Sequence, residues 1–124
     1  MSKFTNKKIL VVDDNNIVLK SAQVVLEGLG FDVTTVSNGQ AAIEQCRSSS
    51  FDIVLMDVDM PAMPGSEACR QIVSQRTCHC VILMTGRNQP DDLIETSGAF
   101  ALIDKPFRVD DLLAKINGCL QRAA

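Results

Sequence analysis

The stretch IVLMDVDMPAMPG, residues 53–65, carries the pattern on which the fold prediction rests. An uninterrupted apolar run leads into Asp57, and a turn rich in proline follows and ends on a glycine. A short continuous apolar run is typical of a parallel strand that is covered on both faces of its sheet. The stretch therefore predicts a buried strand that ends at a carboxylate, with a helix beyond the turn.

Comparable apolar runs alternate with amphipathic stretches along the whole chain. The runs lie at residues 9–12, 31–36, 53–56, 81–84 and 99–103. The second run, FDVTTV, is more polar than the others, which suits a strand at the edge of a sheet. Helices are predicted from a cap at Asn15 or Asn16 to Gly30, near 40–48, near 66–74, from Pro90 to just before Gly98, and around 109–120. Five strand–helix units with right-handed crossovers predict an α/β fold built on a doubly wound parallel sheet.

Length and composition fit a single domain with an ordinary apolar core. The chain has 124 residues, of which 46% are hydrophobic and 22% charged. Its net charge is -3 and it has no stripe of Lys and Arg, so direct binding to nucleic acid is not expected. The apolar runs are too short for a membrane span and the N-terminus has no signal region, so a cytoplasmic location is predicted.

The five cysteines occur at positions 46, 69, 78, 80 and 119 without a repeating spacing. They are expected to be reduced, packed thiols. The string Cys78, His79, Cys80 resembles a metal motif, but adjacent side chains of an extended segment point to opposite faces. Because no second pair of ligands follows, no metal site is expected there.

Polar side chains stand directly after four of the five predicted strands. They are Asp13 and Asp14 after the first, Asp57 after the third, Thr85 after the fourth and Lys105 after the fifth. If the first and third strands are neighbours, about 4.8 Å apart, three carboxylates crowd together and a cation is expected among them. Carboxylate oxygens without Cys or His ligands favour Mg²⁺ over zinc.

The same residues supply the functional groups that phosphoryl transfer to an aspartate requires. Asp57 would be the nucleophile and would form an aspartyl phosphate. The metal and Lys105 would neutralise charge on the phosphoryl oxygens, and Thr85 would hydrogen-bond to one of them.

The segments ILVVDDNN, IVLMDVDMPAMPG, VILMTG and DKPF together resemble the receiver domain of two-component response regulators. The match in motif order and spacing covers about residues 7–121, so a single receiver domain over 1–124 is expected. The resemblance implies a flavodoxin-like sheet with the strand order 2-1-3-4-5. The motifs VDDN and VLMDVDMP look most like receivers attached to hybrid sensor kinases. A stand-alone regulator and a fragment of a longer protein both stay open.

The resemblance also implies the chemistry of the site. Asp57 would accept a phosphoryl group from a phosphohistidine of a histidine kinase or a histidine phosphotransfer protein. Mg²⁺ or Mn²⁺ would be bound by Asp14, Asp57 and the backbone carbonyl of Asp59, with Asp13 assisting through water. Such a chain is a phosphoacceptor signalling domain rather than an enzyme.

Further positions carry over from the same resemblance. Thr85 and Lys105 would contact the phosphoryl group, and the peptide bond between Lys105 and Pro106 is expected to be cis. Gly39 and Gly65 occupy positions where the family has turn glycines that open the second and third helices.

Two positions depart from the family pattern or add to it. Leu102 stands where the family usually has Tyr, Phe or His, so a weaker conformational switch is expected, and Phe100 is expected to belong to the core rather than to substitute. Asp59 and Arg87 would flank the path of water to the phosphorus. They are expected to pair and to prolong the phosphorylated state; the alternatives are an Asp59 that positions a water and two solvated loop charges.

Two other functions are less compatible with the sequence than a receiver domain. The order Asp57, Asp59, Thr85, Lys105 also resembles that of haloacid dehalogenase-like phosphatases, but the chain has no room for a cap domain. That reading also leaves the acid pair on strand one unexplained. An FMN module is disfavoured because the chain has no Trp or Tyr to stack on a flavin and no phosphate-binding loop.

Overall fold

The computed structural model describes residues 4–86 and 89–123. Within these ranges five strands form one parallel sheet, and each strand is followed by a helix. The strands are β1 Lys8–Val12, β2 Asp32–Val36, β3 Ile53–Asp57, β4 Val81–Thr85 and β5 Ala101–Asp104. The helices are α1 Asn16–Gly28, α2 Gly39–Ser48, α3 Gly65–Ser74, α4 Leu93–Ser97 and α5 Val109–Ala123. The strand order is 2-1-3-4-5, so the predicted doubly wound, flavodoxin-like fold is confirmed.

Burial follows the apolarity of the strands. Every residue of the central strands β3 and β4 is buried, because helices cover both faces of the sheet there. The more polar β2 lies at one edge, and its residues are exposed or half-buried. The prediction of a polar edge strand is therefore confirmed.

Asparagine side chains cap the first two helices. Asn15 Oδ1 accepts hydrogen bonds from the backbone N–H groups of Ile17 and Val18 at 2.9 and 3.3 Å. Asn38 Oδ1 accepts one from the N–H of Ala41 at 2.8 Å. These side chains satisfy amide groups that have no partner inside the helix, which fixes where each helix begins.

The segment around α4 differs from the prediction in its boundaries. The helix begins at Leu93 rather than Pro90 and has five residues, with Leu93 buried and Ile94 43% exposed. The fifth strand begins at Ala101 rather than Ala99, because hydrogen bonds hold residues 99 and 100 in the loop that precedes it. The N–H of Ala99 donates to Ser97 Oγ at 3.2 Å, and the N–H of Phe100 donates to the carbonyl of Val81 at 2.8 Å.

The expectation of five reduced thiols is wrong for two of them. Cys80, directly before β4, forms a disulfide with Cys119 in α5, with the Cα atoms 5.8 Å apart. The two lie 39 residues apart in the chain, so their proximity is a product of the tertiary fold. Cys46, Cys69 and Cys78 are free and buried, as predicted. The disulfide also removes Cys80 as a metal ligand, and the described residues hold no candidate metal group at this position.

None of the described helices is both long enough and apolar enough to span a lipid bilayer.

Candidate functional site

The predicted polar residues converge at the carboxyl edge of the sheet. Asp13 follows β1 directly, Asp57 is the last residue of β3 and Thr85 is the last residue of β4. Since β1 and β3 are hydrogen-bonded neighbours, the first and third strands deliver their carboxylates to adjacent positions. Lys105 follows β5, and its N–H donates to the carbonyl of Thr85 at 2.9 Å.

Three carboxylates form the centre of this edge. One oxygen from each of Asp13, Asp14 and Asp57 lies within 4.8 Å of the others. Asp13 is completely buried, Asp57 is 4% exposed and Asp14 faces solvent. The cluster is therefore anchored in the protein and open on the side of Asp14.

Lys105 places its charge between two of these carboxylates. Its Nζ lies 2.7 Å from Asp13 Oδ2 and 3.2 Å from Asp57 Oδ2. The Lys105–Pro106 peptide bond is cis, as the sequence resemblance implied.

The ionisation of Asp57 reflects its burial. Burial raises the pKa of Asp57, and the negative charge of Asp13 raises it further. The N–H of Asp59, which donates to Asp57 Oδ1 at 3.2 Å, and the Lys105 ammonium act in the opposite direction without cancelling the rise. Burial lowers the pKa of Lys105, but its contacts with Asp13 and Asp57 more than compensate, so its net shift is upward.

The residues present fit a hard divalent cation. One ammonium stands against three carboxylates at this edge, so negative charge is in excess. Asp13 Oδ2 is buried and, beyond its ion contact with Lys105, has no aligned hydrogen-bond donor among the described residues. Oxygen donors alone, with one side open to water and phosphate oxygens, match the preferences of Mg²⁺.

Two residues that sequence reasoning did not select also line the cleft. They are Asn15 and Gly86. The N–H of Asn15 donates to Asp13 Oδ1 at 2.9 Å, while its side chain caps α1. The position of Asn15 directly after the acid pair is the sequence signal for this contact, although the local pattern by itself predicts only a helix cap.

Gly65 is required by the packing behind Asp57. A Cβ atom built on Gly65 would lie 2.0 Å from the carbonyl oxygen of Asp57 and 3.0 Å from the Cα atom of Val58. The N–H of Gly65 donates to the carbonyl of Val58 at 2.8 Å. The first turn of α3 thus lies directly against the backbone that carries Asp57, at a distance that a side chain would prevent.

The remaining predicted positions are distributed as follows. Thr85 is buried with 8% of its surface exposed, and Asp59 is exposed. Leu102 is half-buried in β5, in register with Leu83 of β4. Phe100 packs against the core, as predicted, with Arg122 of α5 over its ring at 5.8 Å. Arg87 lies outside the described residues, so its pairing with Asp59 stays a prediction.

The chain is similar to known proteins over almost its whole length. The family described as response regulator receiver domain matches residues 9–117. The alkaline phosphatase synthesis transcriptional regulatory protein PhoP of Bacillus subtilis is 32% identical over 120 residues, which are 95% of this chain and 50% of that protein. The CAI-1 autoinducer sensor kinase/phosphatase CqsS of Vibrio cholerae is 36% identical over 115 residues, 89% of this chain and 17% of that protein. The chain thus spans half or less of the length of these relatives.

Solved structures share the same fold. A CheY-like receiver domain protein from Methanospirillum hungatei has a TM-score of 0.87 and 29% identity, covering 95% of this chain and 96% of that one. The response regulator TrrA from Thermotoga maritima, solved in complex with Mg²⁺ and BeF, has a TM-score of 0.83 and 28% identity. That similarity covers 92% of this chain and 99% of TrrA.

Proposed function

The chain belongs to the response regulator receiver domain family, and from that premise we propose that Asp57 is the residue on which it accepts a phosphoryl group. The donor is a phosphohistidine on a histidine kinase or a histidine phosphotransfer protein. The observation that carries the proposal is the arrangement of Asp57, with its carboxylate beside two further acids and in contact with the Lys105 ammonium.

The transfer balances as a displacement at phosphorus. An oxygen of the Asp57 carboxylate attacks the phosphorus atom, the bond between phosphorus and the donor imidazole nitrogen breaks, and the imidazole leaves with the electron pair. The product is an acyl phosphate on Asp57. The N–H of Asp59, already donating to Asp57 Oδ1, orients the carboxylate for this attack.

Lys105 and Thr85 act on the phosphoryl group once it is attached. The Lys105 ammonium, 3.2 Å from Asp57 Oδ2, compensates the charge that the phosphoryl oxygens bring. Thr85 donates its hydroxyl to one of those oxygens, and its carbonyl already holds the backbone of Lys105. Side chain and main chain of the same residue would thus connect the phosphoryl group to the start of the β5–α5 loop.

The residues that would hold Mg²⁺ are Asp14 and Asp57 with the backbone carbonyl of Asp59, and Asp13 through water. When bound, the ion would supply positive charge against the phosphoryl oxygens. Mn²⁺, which accepts the same oxygen ligands, would substitute. TrrA, solved with Mg²⁺ and BeF, is a relative in fold that supports this assignment.

The partner is proposed to be a protein, with no direct role for nucleic acid in this domain. The open side of the site is acidic and the chain has a net charge of -3, both of which disfavour a polyanion. The name of the Bacillus relative describes transcriptional regulation, but this chain matches only half of that protein. The phosphatase alternative is not favoured, because the receiver family matches residues 9–117 and accounts for the acid pair that follows β1.

Acetyl phosphate with and without Mg²⁺ tests the assignment. Intact-mass spectrometry is expected to show one added phosphoryl group on the wild type with Mg²⁺ and none after chelation. Asp57→Asn is expected to remove the labelling. Asp32→Asn, which changes an exposed carboxylate at the start of β2, is the matched control and is expected to label normally. Equal labelling of Asp57→Asn and the wild type would refute the role of Asp57.

A further inference from the structure

The Cys80–Cys119 disulfide lies at the amino-terminal edge of the sheet, opposite the acidic cluster. Cys80 directly precedes β4, and its carbonyl accepts a hydrogen bond from the N–H of Val54 in β3 at 2.9 Å. Cys119 lies near the end of α5. The disulfide therefore links the C-terminal part of the last helix to a backbone position that is fixed within the central sheet.

Three buried side chains hold α5 in the core, and the last of them lies near the end of the helix. Leu112, Ile116 and Cys119 are all at most 2% exposed, and their spacing of four and three residues places them on one face of the helix. After Cys119 the described side chains of α5 are half-buried or exposed. Cys119 is thus the last buried anchor of the helix among the residues whose side chains are described.

A cavity lies beside this anchor. Its lining includes Val73 of α3, His79, Ile94 of α4, Phe100, Cys119 and Arg122. Because this space is not filled by side chains, apolar packing contributes less to holding the end of α5 there. Cys119 is 2% exposed, but of the two disulfide cysteines it is the one that lines the cavity, so the cavity is the side from which a reagent would approach the disulfide.

We propose that the Cys80–Cys119 disulfide is a redox-reversible tether, opened by a dithiol reductant, that determines whether the end of α5 is fixed to the sheet. A thiolate of the dithiol attacks Cys119 Sγ, the Sγ–Sγ bond breaks, and Cys80 leaves as a thiolate. The second thiol of the reductant then resolves the mixed disulfide. Two electrons and two protons pass to the cysteines, and the reductant becomes a disulfide.

The charge around Cys119 favours this direction of attack. Arg122, three residues later on the same helical face, also lines the cavity and is exposed. Its guanidinium lies over the Phe100 ring, which places positive charge at the lining of the same cavity. Cys80 directly precedes β4 and is not among the residues that line the cavity, so it serves as the leaving group.

The three free thiols do not compete in this exchange. Burial raises the pKa of Cys46 and of Cys69 to about 12, and it raises the pKa of Cys78 as well. Since the thiolate is the reactive form, these buried thiols are poor nucleophiles near neutral pH. Redox chemistry is therefore confined to the Cys80–Cys119 pair.

Thiol counting and hydrogen exchange on the whole chain test the tether. After oxidation by glutathione disulfide, denaturation and alkylation with iodoacetamide, the wild type is expected to carry three adducts, the number of free cysteines. After dithiothreitol it is expected to carry five, since the chain has five cysteines. In the native state, amide exchange at the end of α5 is expected to become about tenfold faster or more after reduction, and to slow again on reoxidation.

Two variants control for effects of the reductant elsewhere. Cys80→Ala/Cys119→Ala is expected to exchange fast at the end of α5 with or without dithiothreitol, and Cys46→Ala is expected to respond as the wild type does. Five adducts on the oxidised wild type would overturn the proposal. Equal exchange of the oxidised and reduced wild type would also overturn it. If the double variant does not fold, reversal of the exchange rate on reoxidation of the wild type decides the question by itself.

Discussion

Replacing Gly65 by alanine tests whether the turn behind Asp57 depends on the close approach of two backbones. The added Cβ would lie 2.0 Å from the Asp57 carbonyl oxygen, whereas an unstrained contact between carbon and oxygen needs about 3.3 Å. The two segments must therefore separate by more than about 1 Å. Since the obstructing atom belongs to the main chain, no side-chain rotation can relieve the contact.

The expected cost combines overpacking with a weakened hydrogen bond. Overpacking of a well-packed site costs about 1–3 kcal/mol, and the 2.8 Å bond from the Gly65 N–H to the Val58 carbonyl contributes about 1 kcal/mol more. We therefore expect Gly65→Ala to lower the free energy of unfolding by about 2–4 kcal/mol in urea titrations. Because the displaced carbonyl belongs to Asp57, labelling by acetyl phosphate is expected to slow as well.

Gly28→Ala is the matched control. Apart from its chain neighbours and the backbone of its own helix, a Cβ atom at Gly28, the last residue of α1, would have no heavy atom of the described residues within 4 Å. Since alanine is the better helix former and restricts the unfolded chain, the free energy of unfolding is expected to stay unchanged or to rise by up to about 1 kcal/mol. The steric reasoning would be refuted if Gly65→Ala lost less than about 0.5 kcal/mol and labelled at the wild-type rate.

Three further predictions concern the site and its surroundings. Lys105→Met removes the ammonium that neutralises two buried carboxylates, so we expect the free energy of unfolding without Mg²⁺ to fall by about 1–3 kcal/mol. In thermal melts, Mg²⁺ is then expected to raise the melting temperature of Lys105→Met by more than it raises that of the wild type. Equal increases in melting temperature would contradict this. Asn15→Ala and Asn38→Ala each remove a helix cap worth about 1 kcal/mol. Alanine keeps the backbone N–H that donates to Asp13, but loss of the cap loosens the first turn of α1 beside the acidic cluster, so only Asn15→Ala is expected to slow labelling of Asp57; equal labelling rates for the two variants would contradict this. Because Leu102 has no hydroxyl or ring, hydrogen exchange with beryllofluoride is expected to show a small rearrangement of β5, and a large ordered shift would show this to be wrong.

The apolar runs predicted the bounds of the central strands well, because strands that are buried on both faces require a continuous run of apolar residues. The third and fourth runs differ from β3 and β4 only at the final residue, Asp57 and Thr85 respectively. Boundaries failed around α4, where hydrogen bonds to Ser97 and Val81 decide the path of the chain. The bond from the Phe100 N–H to the Val81 carbonyl joins segments that are distant in the sequence, so no local pattern predicts it.

The sequence predicted which residue types form the site and in what order they occur, but not which side chains contact one another. Polar residues directly after apolar strands must meet at one edge of a parallel sheet, which placed Asp13, Asp57 and Lys105 together. That Lys105 contacts both carboxylates depends on the geometry of the β5–α5 loop. The Cys80–Cys119 pairing was missed for a related reason, because the spacing of two cysteines does not reveal their distance in space.

The strand order 2-1-3-4-5 leaves two strands with an unpaired side, and their sequences bear on self-association of the domain. An unpaired strand edge offers free N–H and C=O groups that can template pairing with another molecule. Here β2 has five residues and begins with the exposed Asp32, while β5 has four and ends with the exposed Asp104. Short edges that carry charge are poor templates, so stacking of two copies edge to edge is disfavoured at both ends of the sheet. Replacing these aspartates with apolar residues would turn the same two edges into sites of aggregation.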